Sequence, residues 1–101
     1  MIMMIQKEKP FRSKAYLDAV RSLPCVITGE MGVCDPHHII GHGGRGMSQK
    51  VSDLWVFPLH WELHKQLHDH GWQTWEDEFG CQKMFALRTI NLLIMEKGFR
   101  L

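Results

Sequence analysis

Apolar positions recur along this chain at helical spacing in some stretches and gather into short runs in others. In residues 12–22, RSKAYLDAVRS, Tyr16, Leu17 and Val20 share a face that continues to Leu23, and Ser13 stands where a helix cap belongs. Pro24 ends this helix. Cys25-Val26-Ile27 reads as a short strand, with a turn at 28–32. A second strand runs through Val33 and resumes near His38-Ile39-Ile40. Leu54-Trp55-Val56-Phe57 reads as a third, apolar on both faces and therefore buried on both. A helix of about residues 60–70 follows, with Leu63 and Leu67 on its packing side, and stops at Gly71. Trp72, Trp75 and Phe79 begin a further helical stretch, with Thr74 as its cap and Gly80 as its break. Residues 82–97 read as a helix whose apolar stripe is Met84, Leu87, Ile90, Leu93 and Ile94, ended by Gly98. Residues 1–10 read as a loose arm, and residues 41–46 are too rich in glycine for a helix or a packed strand.

Composition narrows this picture. A chain of 101 residues with 45% apolar and 23% charged residues suits one α+β domain, residues 1–101, built on a single core. The net charge of +1 gives no global basic field, although a local patch suffices for nucleic acid. One such patch collects at Lys7, Lys9, Arg12, Lys14 and Arg21, which taken alone is a solvated helix face. Three cysteines without a C-x-x-C suggest no disulfide framework and fit a reducing, cytoplasmic setting. The N-terminal MIMMI is too short for a signal-peptide core or a membrane span.

The chemistry concentrates in residues 35–68. Six of the seven histidines lie there: His37, His38, His42, His60, His64 and His68. His60, His64 and His68 are spaced by four and project from one helix face. Histidines at that spacing hold a metal ion from two sides, and a third ligand from the His37–His38 pair completes a three-histidine site with an open position. Arg45 and Lys50 are the cations in and just beyond the glycine-rich loop, which suits a phosphate ester or, equally, a plain surface loop.

The D-P-H-H-I of 35–39, the D-L-W-V-F-P-L of 53–59 and the H-W-E-L-H-K-Q-L-H of 60–68 resemble the HNH, or ββα-metal, endonucleases. The R-S-L-P-C of 21–25 and the G-x-G-M-S-x-K of 44–50 resemble the phage and prophage branch that includes the RecA-dependent nuclease Ref. The likeness covers residues 21–70, about half of the chain, with a flanking N-terminal helix and a helical part at about 73–98. It implies a metal-dependent endonuclease that hydrolyses DNA phosphodiester bonds in phage recombination or DNA processing, in the cytoplasm of a bacterial host. By position, His37, His64 and His68 correspond to metal ligands and His38 to the general base. Arg45 and Lys50 would grip phosphates.

Two positions depart from the family pattern. Trp55 stands where the family has an asparagine that orients the base. Asp53, two residues earlier on the same strand face, or the Trp55 carbonyl takes that role here. The positions of a structural zinc knuckle read Cys25, Thr28, His60 and Leu63, so the knuckle is lost and His60 is left as a spare metal-ligand candidate or, preferably, a surface relic. Three neutral imidazoles favour one zinc, nickel or manganese ion over magnesium. The expected partners are DNA and a RecA-like recombinase filament, with no membrane. The rival reading is a non-catalytic, zinc-containing DNA-binding module.

Overall fold

The computed structural model describes residues 10–41 and 51–101. The fold is α+β. Helix α1 (Lys14–Arg21) is followed by strand β1 (Cys34–His38), strand β2 (Val56–His60), and helices α2 (Trp61–His70), α3 (Trp72–Phe79) and α4 (Gln82–Ile90). A wider, π-helical continuation at Asn91–Glu96 carries α4 toward the C terminus. Ser13 caps α1, its hydroxyl accepting the Tyr16 N–H at 3.1 Å.

β1 and β2 pair antiparallel, with His37 opposite Phe57 and Pro36 opposite Pro58. Neither proline has an N–H, so their pair occupies a position where each backbone points away from the other strand. The Pro58 carbonyl accordingly turns outward and accepts the Val26 N–H at 3.0 Å. β2 is buried on both faces. Phe57 and Leu59 join Leu67, Trp75, Phe85 and Ala86 on one side, while Val56 joins Tyr16, Val20, Leu23 and Leu93 on the other. Burial of this kind stabilises by about 25 cal/mol per Å² of apolar surface.

Among the described residues two strands form rather than three. The expected strand at Cys25–Ile27 is a turn wrapped around a sulfur. Cys25 Sγ accepts N–H groups from Ile27, Thr28 and His60 at 3.3–3.4 Å. The Cys25 carbonyl accepts the Gly29 N–H, closing the turn. The strand expected at Leu54–Phe57 begins later, at Val56, because Ser52 makes a turn first: its hydroxyl accepts the Leu54 N–H and its carbonyl the Trp55 N–H. Asp53 therefore lies in that turn and not on a strand face shared with Trp55.

The C-terminal helices differ in detail from the periodicity. Gly71 (φ 90°), not Thr74, marks the start of α3, and Gly80 (φ 123°) separates α3 from α4. The buried face of α4 is Gln82, Phe85, Ala86 and Thr89, continuing to Leu93. Met84 and Leu87 from the expected stripe are 51% and 46% exposed. No helix among the described residues is long and apolar enough to cross a membrane.

Candidate metal centre

Adjacent residues on an extended strand point to opposite faces, and β1 uses this to part its two histidines. His37 faces α2. Its ring centroid lies 4.7 Å from that of His64 and 5.8 Å from that of His68, and His64 and His68 lie 4.8 Å apart. One nitrogen from each of the three falls within 4.8 Å of the others, close enough to share a metal ion. The trio grades from buried His37 through His64 to exposed His68, so the site opens to solvent along α2.

The donor set fits a transition metal. Burial pulls the His37 pKa down to about 3, so this imidazole is neutral and keeps a lone pair. Burial, with His64 beside it, also lowers that of His68. Asp35 Oδ2 sits 3.2 Å from His64 Nδ1. A carboxylate accepts, so Nδ1 carries the proton and Nε2 is left to ligate. Sequence reasoning did not single out Asp35, although it opens the D-P-H-H run.

On the other face, His38 Nε2 lies 2.8 Å from Asp53 Oδ1. The Trp55 carbonyl is engaged elsewhere, accepting the Ile39 N–H at 3.0 Å. Asp53 is buried and held from several sides. Arg12 Nη1 donates to Oδ1 at 2.8 Å, the Ser13 N–H donates to Oδ2 at 2.8 Å, and the Asp53 N–H donates to the Phe11 carbonyl. Burial alone would raise the Asp53 carboxyl; the bonds from His38, Ser13 and Arg12 outweigh it and keep the group below its ordinary value.

Of the remaining expected site residues, Arg45 and Lys50 lie outside the described residues, as does His42. His60 is not in the trio and is no surface relic. Its side chain is 12% exposed, and its Nδ1 caps α2 by accepting the Glu62 N–H at 3.1 Å. Histidine is not among the residues that usually mark a helix cap, so this cap has no sequence signature of its own. Gln82 is the other residue that periodicity missed. It is wholly buried, and its Oε1 lies 3.0 Å from His37 Nε2. A polar residue at the start of an amphipathic helix reads as solvated, which concealed it.

A family described as "Protein of unknown function (DUF968)" matches residues 1–96. The chain belongs to this family. It is also similar to "Uncharacterized protein YdfU" of Escherichia coli (strain K12), with 37% identity over 89 residues. That similarity covers 88% of this chain and 25% of the relative, so the chain spans about a quarter of the relative's length. No solved structure matches.

Proposed function

We propose that the chain is a metal-dependent endonuclease of HNH type, hydrolysing phosphodiester bonds in DNA. The observation that carries this reading is the division of labour across β1. One histidine joins a three-imidazole cluster, and its neighbour, on the opposite face, is hydrogen-bonded to a buried, ionised carboxylate. A binding module would use Asp53 to anchor α1 through Arg12 and Ser13, but His38 beside it would be redundant.

His37, His64 and His68 would hold one zinc, nickel or manganese ion, their neutral nitrogens suiting these better than magnesium. Such an ion, when bound, would supply electrostatic stabilisation of the charge that develops as the phosphodiester breaks. The chain supplies the base. The Asp53 carboxylate accepts from His38 Nε2–H, which leaves the lone pair on Nδ1. His38 Nδ1 takes the proton from the attacking water. Asp53 fixes that tautomer and stabilises the imidazolium as it forms. Arg12 and the Ser13 N–H keep Asp53 ionised and in place. Arg45 and Lys50, the cations in and just beyond the glycine-rich loop, would contact neighbouring phosphates. The products carry a 5′-phosphate and a 3′-hydroxyl.

The likeness to the phage and prophage branch extends the proposal to recombination or DNA processing beside a RecA-like filament, in the cytoplasm of a bacterial host. The test is incubation of the purified chain with supercoiled plasmid, single-stranded circles and RNA, across zinc, nickel, manganese and magnesium. Metal-dependent DNA cleavage that disappears in His38→Ala is the expected result. Binding of zinc and DNA without cleavage under any metal would sink the nuclease and leave a zinc-containing DNA-binding module.

A further inference from the structure

Gln82 belongs to α4, outside the stretch that resembles a nuclease, and yet it touches the candidate metal centre. Its side chain is fully buried, and every polar atom is engaged. Oε1 accepts the Ile40 N–H at 3.1 Å and lies 3.0 Å from His37 Nε2. Nε2 donates to the Ile40 carbonyl at 2.9 Å and to Glu76 Oε2 at 3.1 Å. The Gln82 backbone N–H donates to the same Glu76 oxygen at 3.0 Å.

These bonds leave the amide one orientation. The Ile40 N–H can only donate, the Ile40 carbonyl can only accept, and Glu76 Oε2 already accepts the Gln82 backbone N–H. Turning the amide over would set donor against donor at the Ile40 N–H. It would also set the Gln82 oxygen against two other oxygens, at a side chain that is closed to solvent. The oxygen therefore faces His37. An acceptor there requires a proton on His37 Nε2, because a lone pair facing a lone pair in the interior is costly. A neutral imidazole protonated on Nε2 carries its free lone pair on Nδ1.

We propose that Gln82 is a positioning residue for the metal centre: clamped by Ile40 and Glu76, it fixes His37 in the tautomer that ligates through Nδ1. The inference rests on the reading of His37, His64 and His68 as a metal site and deepens it. It makes the C-terminal helices part of that site. β1 is held to α3 and α4 through the same side chain that aims its ligand, so metal affinity and the docking of α4 are coupled. It also gives the trio mixed ligation, Nδ1 from His37 and Nε2 from His64, whose Nδ1 is held by Asp35. Partners of this kind set ring orientation and ligand basicity, and losing one weakens metal affinity by roughly 10–100-fold.

The test begins with the whole wild-type chain carrying nitrogen-labelled histidine. Long-range proton–nitrogen spectra of the metal-free protein should show His37 Nε2 protonated and Nδ1 bare. On cadmium loading, scalar coupling to the metal should appear at His37 Nδ1 and His64 Nε2. Two variants then separate positioning from stability. Gln82→Met keeps the volume without an acceptor; it should let His37 exchange tautomers and bind zinc about 10–100-fold more weakly. Gln82→Glu keeps an acceptor opposite His37 while setting a second one against Ile40 and Glu76. It should be less stable than wild type and yet bind zinc more tightly than Gln82→Met. A bare Nε2 on His37, cadmium coupling at that atom, or unchanged zinc affinity in folded Gln82→Met overturns the proposal while leaving the metal site intact. Absence of zinc binding to the wild-type chain overturns both. Should Gln82→Met fail to fold, the wild-type spectra alone decide.

Discussion

His38 and Asp53 lie 15 residues apart in the chain, and yet His38 Nε2 is 2.8 Å from Asp53 Oδ1. The carboxylate is also the anchor for the start of α1, through Arg12 and the Ser13 N–H. This dual use makes two substitutions informative. Asp53→Asn keeps the shape and an oxygen toward His38 but loses the charge that stabilises the imidazolium. Its single-turnover cleavage rate should fall by roughly tenfold or more, with zinc affinity unchanged. Asp53→Asn, with its amide nitrogen turned to Ser13, and Asp53→Ala both leave the Ser13 N–H without its acceptor, which costs about 1–3 kcal/mol of stability. Denaturant unfolding of both variants against wild type checks the second effect; wild-type stability in both would mean that the carboxylate does not hold α1.

The buried, neutral His37 predicts a pH dependence of stability. In the fold its pKa is about 3, whereas an imidazole in the unfolded chain titrates near ~6.5. Below pH ~6.5 the unfolded state therefore takes up a proton that the folded state does not. This contribution is fully present above that pH and is lost as pH falls toward 3, by up to about 1.4 kcal/mol per unit. His68 is lowered too and acts in the same direction. Asp53, also held low, adds a loss only once pH drops below the ordinary carboxylate range. Urea midpoints of the metal-free chain should decline between pH 6.5 and 5; a flat profile would contradict a neutral, buried His37. Saturating zinc should raise stability at pH 7.5 and lose that advantage on acidification, because protons compete for the same nitrogens.

Gly41 follows the segment that Gln82 clamps. Its φ of 86° suits glycine alone, and a Cβ there would fall inside the Trp72 indole. Gly41→Ala should cost at least ~2 kcal/mol, combining left-handed strain with overlap against a ring held at the start of α3. For a domain of this size that is a fall in Tm of about 4–8 °C per kcal/mol. Calorimetry checks it, and an unchanged Tm would show that Trp72 yields without penalty.

What was legible in the sequence follows the range of the forces involved. α1, with its Ser13 cap and its Tyr16, Val20 and Leu23 face, was readable because local spacing and a local cap decide it. The His64–His68 spacing likewise announced a shared helix face. The Cys25 turn was not readable, since a thiol gathering three backbone N–H groups leaves no periodic trace. The face of α4 was misjudged for a similar reason. Met84 and Leu87 fit an apolar stripe, but the core side is set by Gln82, whose partners Ile40 and His37 are 42 and 45 residues away. Polar contacts at that separation are chosen by tertiary packing, and sequence periodicity carries no record of them.

The decisive functional comparison sets His38 against His37 and His68. All three are histidines, so composition offers no distinction, but the fold places them differently. His37 and His68 face one another across the β1–α2 junction, and His38 looks away toward Asp53. Removing a ligand and removing a base have different consequences. His68→Ala, at an exposed position, should weaken zinc binding by more than the roughly 10–100-fold typical of losing an outer partner, without destabilising the metal-free fold. His38→Ala should leave zinc and DNA affinity near wild type and lower the cleavage rate by roughly a hundredfold or more. His37→Ala should weaken zinc binding and also destabilise the fold, because it empties a buried position and removes one of the two donors to Gln82 Oε1. Isothermal titration with zinc beside single-turnover cleavage resolves the three. Loss of zinc binding in His38→Ala with retention in His68→Ala would reverse the assignments. Wild-type cleavage in His38→Ala would remove the base from the mechanism and, with it, the reason for reading this pair of histidines as a nuclease site.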